Sequence, residues 1–272
     1  LTLLPDGTVL VTGGSSGAGK NDLSSPVLST ELWDPVTETF TVLARNKVFR
    51  GYHSSALLLP DGRVISGGGD FANFEIFSPP YLFRGERPRI TATADGIAWG
   101  QQFKIYTPDA ASISKVTLMK IGSSTHAFNV GQRIHDLSFT RGGGVLNVTA
   151  PASRIEAQPG HFMLFILNEA GVPSMASIVQ LSADASPAPD PGNIPVVGLP
   201  KVPANGHRPL VVVGDVTPDV PENPDEKPIG PNRDEESSAS CAATGGIPAL
   251  LPLLLGWGWV GARRVRQISD TR

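Results

Sequence analysis

The segment LLPDGTVLVTGG at Leu3 to Gly14 returns as LLPDGRVISGGG at Leu58 to Gly69, 55 residues further on. Self-similarity at a fixed spacing restricts the fold more than any other feature of this chain. Each copy reads as an apolar strand, a Pro-Asp-Gly turn and a second strand ending on Gly-Gly. ELWDP at Glu31 to Pro35 and EIFSP at Glu75 to Pro79 follow the two copies in the same order and read as a third strand closing on Pro. Asp-Gly supplies the turn, Val and Ile alternate across the pleat, and the glycines let backbones approach closely. With 30 Gly, 25 Pro and only 17% charged residues, short strands joined by tight turns are favoured over the long amphipathic helices of a bundle.

A repeat of this construction, with a period of about 50 residues, is a blade of a kelch-type β-propeller. Two blades close no ring. Leu1 stands where an initiator Met would be, and the first residues already follow a strand pattern, so the chain is expected to be a C-terminal fragment with further blades upstream. The reading is all-β, with residues 1–88 as the last blades of a partial kelch β-propeller. From Arg89 to Leu181 the repeat gives way to apolar or alternating runs: Phe103–Tyr106, Val116–Ile121, Val145–Val148, Phe162–Leu167 and Ser177–Leu181. That spacing predicts a β-sandwich over 89–183. Asn147-Val148-Thr149 matches a glycosylation sequon inside an expected strand, where a three-residue match carries little weight.

At Ser182 the composition changes to Pro-rich and acidic, so residues 184–240 are expected to form a disordered linker. Residues 241–272 form the last segment. An uncharged stretch from Ala242 to Ala262 is followed by Arg263, Arg264 and Arg266. As a helix, about 21 residues at ~1.5 Å each span a hydrocarbon core, with Trp257 and Trp259 at the interface and the arginines cytoplasmic. One reading is therefore a C-terminal transmembrane anchor. The other is a sorting signal: Ser240-Cys241, then Gly245-Gly246, a Leu-rich run and a terminal Arg cluster resemble the MYXO-CTERM type of bacterial signal, in which Cys241 is the processing point. Either reading puts residues 1–181 outside a membrane, extracellular or on the cell surface, with the membrane or a sorting protease as partner.

Residues 1–181 carry 14 basic and 14 acidic side chains, so the expected folded part offers no basic stripe for nucleic acid. One cysteine excludes a disulfide framework and a multi-cysteine zinc site. The histidines are His53, His126, His135, His161 and His207, and no pair of them has a local metal-binding spacing. His53 lies in Arg50-Gly51-Tyr52-His53-Ser54-Ser55, and His126 in Gly122-Ser123-Ser124-Thr125-His126. Spacing alone brings none of these together.

Four segments in order, RGYHSSALLLPDGRVISGGG, EIFSPPYLFRGERPRI, ISKVTLMKIGSSTHAFNVGQRIHDL and PGHFMLFILNEAGVPSMASIVQL, resemble the galactose oxidase and glyoxal oxidase family of copper radical oxidases. The resemblance covers nearly all of residues 1–181. It implies a seven-bladed propeller followed by an immunoglobulin-like domain that sends one loop to the metal. It implies that Tyr52 is an axial ligand and the acceptor of the substrate proton, with His53 and His126 as copper ligands. Those residue types suit copper(II), which takes imidazole and phenolate donors in tetragonal geometry. The family also holds an electron on a tyrosine cross-linked to a cysteine. Neither residue of that pair is visible here, and both are expected upstream.

The implied activity is oxidation of a primary alcohol, sugar or aldehyde by O2 with release of hydrogen peroxide. The alternative is a surface kelch protein that binds carbohydrate or a protein partner without turnover. In that reading Tyr52 packs between blades and Arg50 is a solvated charge. His135 and His161 read as structural in both.

Overall fold

A computed structural model of the chain describes residues 1–19, 22–185 and the strand at 211–213. The chain separates into two compact units, Leu1–Asp219 and Val220–Arg272, and every described residue belongs to the first. The linker over 184–240 lies mostly, and the segment 241–272 with Cys241 wholly, outside the described residues. No helix among the described residues is long and apolar enough to cross a membrane.

The structure is all-β, with two short 3-10 turns as its only helices among the described residues. The first copy of the repeat forms an antiparallel meander of β1 (Thr2–Leu3), β2 (Val9–Val11), β3 (Ser29–Asp34) and β4 (Thr39–Arg45). The second copy forms β5 (Ser54–Leu58), β6 (Val64–Gly68) and β7 (Phe71–Phe77), joined in the order β5-β6-β7. The repeated Pro-Asp-Gly builds the same turn twice. Asp6 Oδ1 accepts the Thr8 N–H at 3.1 Å and Asp61 Oδ1 accepts the Arg63 N–H at 3.0 Å, while Gly7 and Gly62 take φ of +97° and +77°. These are Asx turns whose next residue needs a left-handed backbone. Leu4, Leu10, Val64, Phe77, Tyr81 and Leu82 from the two sheets and the turn after β7 form one buried cluster.

The remaining strands are β8 (Ala92–Thr93), β9 (Gly96–Ile97), β10 (Gln102–Tyr106), β11 (Ile113–Lys120), β12 (Ser123–Thr125), β13 (Phe128–Val130), β14 (Ile134–Asp136), β15 (Phe139–Gly142), β16 (Val145–Thr149), β17 (Gly160–Asn168) and β18 (Ser177–Leu181). They form two sheets, ordered β15-β16-β10-β8 and β14-β11-β17-β18-β9, and a separate hairpin β12-β13. A core of 19 buried residues, among them Phe103, Ile105, Leu118, Leu146, Phe162 and Val179, lies between the two sheets.

The run Phe162 to Leu167 is apolar throughout because β17 is covered on both faces. Phe162, Leu164 and Ile166 point into the sandwich core. The alternate residues Met163, Phe165 and Leu167 pack with Met119 and Ala176 against Leu3 and Leu58 of the repeat sheets. Period-two alternation assigns each set to its own face.

Backbone at Val211–Val213, labelled β19, pairs antiparallel with β7 and adds a fourth strand to the second repeat sheet.

Candidate functional site

The segment from Asn46 to His53 crosses from the first repeat sheet to the second. Arg50 anchors it. Sequence reasoning allows this residue to be a solvated charge, whereas its side chain is 1% exposed. Its guanidinium donates to Gly68 O at 3.1 Å and to Asn73 Oδ1 at 2.7 Å, and faces Glu75 Oε2 at 3.6 Å. Its own carbonyl accepts the Gly14 N–H at 2.9 Å. A Cβ on Gly13 would sit 2.4 Å from that carbonyl oxygen, which explains why the strand must end on glycine. Burial lowers the Arg50 pKa, with the Glu75 carboxylate opposing the shift. The signal in the sequence was the pairing of an Arg before the His-containing segment with the Glu that begins EIFSP. Only the fold shows that the two meet.

Two residues after Arg50, Tyr52 stacks on His53 with ring centroids 3.8 Å apart. His53 adopts φ of +64°, a left-handed conformation uncommon outside glycine. Its carbonyl accepts the Gly69 N–H at 3.2 Å, tying it to the Gly-rich end of β6.

His126 arrives from the sandwich. In the β12-β13 hairpin Thr125 pairs with Phe128, so the loop is two residues long. Those residues, His126 and Ala127, have φ of +50° and +68°. Both signs fit a type I′ turn, which is usually built from Asn-Gly or Gly-Gly. The hairpin lies on β5, the edge strand of its sheet. Ser124 Oγ donates to Ser55 Oγ at 2.7 Å, and Asn129 Nδ2 donates to Ala56 O at 3.3 Å. Gln132 secures the hairpin base, accepting the Leu3 N–H at 2.8 Å and donating to Leu1 O at 3.1 Å.

As a result the His53 and His126 rings stand 5.6 Å apart, centroid to centroid, at an interplanar angle of 62°. His126 Nδ1 is engaged by Thr125 Oγ1 at 2.7 Å, leaving Nε2 as the nitrogen available to another ligand. Two imidazoles at this separation, beside a phenol ring, make a donor set suited to copper(II). Among the described residues no three His, Cys, Asp or Glu side chains gather into a metal-binding group, so any such site depends on tyrosine as well as histidine.

The other histidines lie elsewhere in the sandwich. His135 sits on β14 against Phe162, ring centroids 6.2 Å apart, and His161 is exposed on β17. His207 is outside the described residues.

Residues 87–181 match the family described as "Galactose oxidase-like, Early set domain". A protein named galactose oxidase from Gibberella zeae is 37% identical over 195 residues, which cover 66% of this chain and 28% of that protein. A protein named aldehyde oxidase GLOX from Vitis pseudoreticulata is 33% identical over 211 residues, covering 66% of this chain and 40% of that one. Among solved structures, a fungal alcohol oxidase of the AA5 family in complex with copper superposes with a TM-score of 0.62 at 33% identity, over 66% of this chain and 41% of that chain. The chain thus spans well under half the length of each of these relatives.

Proposed function

We propose that the chain, whose residues 87–181 match the galactose oxidase-like early set domain and which is similar to proteins named galactose oxidase and aldehyde oxidase, supplies part of a copper site oxidising a primary alcohol or aldehyde hydrate with O2 to give hydrogen peroxide. The observation that carries this reading is the approach of His53 and His126 to 5.6 Å. Tyr52, His53 and His126 are the residues that would hold the metal. Bound copper supplies a Lewis acid for the substrate oxygen and an acceptor for an electron.

The chain's own residues do the rest. His126 is presented from a tight two-residue turn, and His53 is tied by its carbonyl to the Gly69 N–H. Tyr52 Oη would take the proton from the substrate hydroxyl, the role of a positioned general base. The net reaction removes two electrons and two protons from the alcohol and delivers them to O2. The described residues include no cysteine, so the acceptor of the second electron, a cross-linked tyrosine in the resembled family, would have to be supplied by residues outside them.

In this reading the two repeat sheets are consecutive blades of a propeller. Supporting it are the twice-used Asx turn and the burial of both sheets' apolar faces in one cluster. The protein acts outside the cell, with the residues after 184 as its tether.

Copper(II) titration of the 272-residue chain tests the site. Wild type is expected to bind one copper ion, and His53→Ala and His126→Ala are each expected to lose it with unfolding curves little changed. In the protein carrying the upstream blades, Tyr52→Phe is expected to weaken copper binding and to lose alcohol-dependent peroxide formation. Full copper stoichiometry in both histidine variants would overturn the assignment and favour the surface-binding alternative.

A further inference from the structure

Resting on that reading of the site, we infer that Asn129 and Ser124 are positioning residues which set the distance between the two candidate histidine ligands by clamping the β12-β13 hairpin to the edge of β5.

The two histidines belong to different parts of the fold. His53 precedes β5 directly, while His126 sits at the tip of a hairpin that shares no sheet with it. Alternation divides the hairpin into two faces. Thr125 and Phe128 share one face with Ser123 and Val130, and this face is exposed. Ser124 and Asn129 form the opposite face, directly across from each other and half-buried against β5. Both reach β5 with a side chain, Ser124 to Ser55 Oγ and Asn129 to Ala56 O. His126 is thereby held two residues from Ser124, and the partner Ser55 lies two residues from His53.

Asn129 works in both directions. Its Oδ1 accepts the Ser123 N–H at 3.1 Å, closing the hairpin on itself, while its Nδ2 donates to the neighbouring sheet. Gly122 leaves room for this amide, since a Cβ there would sit 2.6 Å from Oδ1. Ala56 O lies on the edge of β5 that no strand pairs with and also accepts the Thr2 hydroxyl at 3.4 Å, so the hairpin shares a backbone acceptor that the ladder leaves unpaired. Partners of this kind, one layer removed from a metal, orient its ligands and are typically worth about 10–100-fold in metal affinity.

The decisive experiment compares wild type with Asn129→Asp, Ser124→Ala, the double variant and Gly122→Ala in the 272-residue chain. Asn129→Asp retains an oxygen for the Ser123 N–H but loses the donor to Ala56. The metal-free readout is the NOE between the His53 and His126 imidazole protons. It is expected in wild type and expected to vanish in the double variant, with thermal unfolding shifted only slightly. Gly122→Ala, which displaces the Asn129 amide while leaving both clamp residues unsubstituted, is expected to weaken the same NOE, and Ser124→Thr to preserve it.

With copper(II) added, the double variant is expected to bind about tenfold or more weakly, and its EPR spectrum to lose coupling to one imidazole nitrogen. An unchanged NOE in the double variant overturns the clamp. A lost NOE combined with undiminished copper binding by His126→Ala leaves the clamp standing and overturns the copper assignment instead.

Discussion

Arg50, in the segment that leads directly into Tyr52 and His53, and Glu75 on β7 face each other at 3.6 Å with side chains 1% and 0% exposed. Glu75 also accepts the Lys47 N–H through Oε1 at 2.7 Å, so one carboxylate fixes the start of the crossing and balances the charge near its end. Removing the carboxylate leaves a guanidinium buried with only its neutral partners Gly68 O and Asn73. Glu75→Ala is therefore expected to cost about 3 kcal/mol, the lower end for breaking a buried pair, measured by urea denaturation. A loss below ~1 kcal/mol would show that the neutral acceptors suffice.

The His126-Ala127 turn predicts a gain in stability. A left-handed conformation costs a non-glycine residue about 1–2 kcal/mol, and glycine's larger unfolded-state freedom costs about 0.5–1 kcal/mol in return. The first effect wins by a modest margin. Ala127→Gly, at φ of +68°, is expected to stabilise the chain by about 0.5 kcal/mol while keeping copper binding. His126→Gly relieves similar backbone strain and is expected to abolish that binding, separating strain from ligation in one pair of denaturation and titration curves.

His135 predicts the direction of a pH effect. Its Nε2 is buried without a hydrogen-bond partner. Burial lowers its pKa, with Glu156 opposing the shift and Arg133 adding to it. A folded-state pKa below the unfolded value of about 6.5 means that the unfolded chain binds more protons as the pH falls. The contribution of His135 to stability is therefore complete above that value and is lost on acidification toward the folded-state pKa. Stability of wild type is expected to fall between about pH 7 and pH 5 more steeply than that of His135→Leu. Parallel slopes in the two proteins would assign the pH effect to other groups.

Residues 87–181 are expected to fold alone, since the cluster between the two sandwich sheets draws every member from within them. The second face of β17 then loses Leu3 and Leu58 and presents Met163 and Phe165 to water. The isolated domain should unfold cooperatively yet self-associate, as an exposed apolar face does. Denaturation followed at several concentrations, with sedimentation, checks both halves. A monomer that binds no hydrophobic dye would mean that this face repacks on itself.

Strands with dense apolar patterning were legible in the sequence. The runs Phe103–Tyr106, Val116–Ile121, Val145–Val148, Phe162–Leu167 and Ser177–Leu181 each fall on β10, β11, β16, β17 or β18. The repeat located β1, β2, β5 and β6 because its Asp-Gly turns announce themselves. The fourth strand of the first sheet, β4, was not legible: it is mostly exposed and lacks a buried face to impose alternation.

The β12-β13 hairpin escaped for a different reason. Its turn contains no glycine or asparagine, and its left-handed conformation at His126 and Ala127 is imposed by docking rather than by local preference. The proximity of His126 to His53 was therefore available only through family resemblance, and the clamp that produces it not at all.

The two-residue turn also limits how this part of the chain can drift. Adding or deleting one residue in β12 or β13 would exchange the faces of that strand, turning Ser124 or Asn129 away from β5 and its exposed neighbours toward it. Changes of two residues preserve the facing but move His126 along the strand by about 6–7 Å, more than a coordination sphere spans. Insertions and deletions that preserve the site are thus confined to the segments outside Ser123–Val130, and within that window the sequence can vary only by substitution.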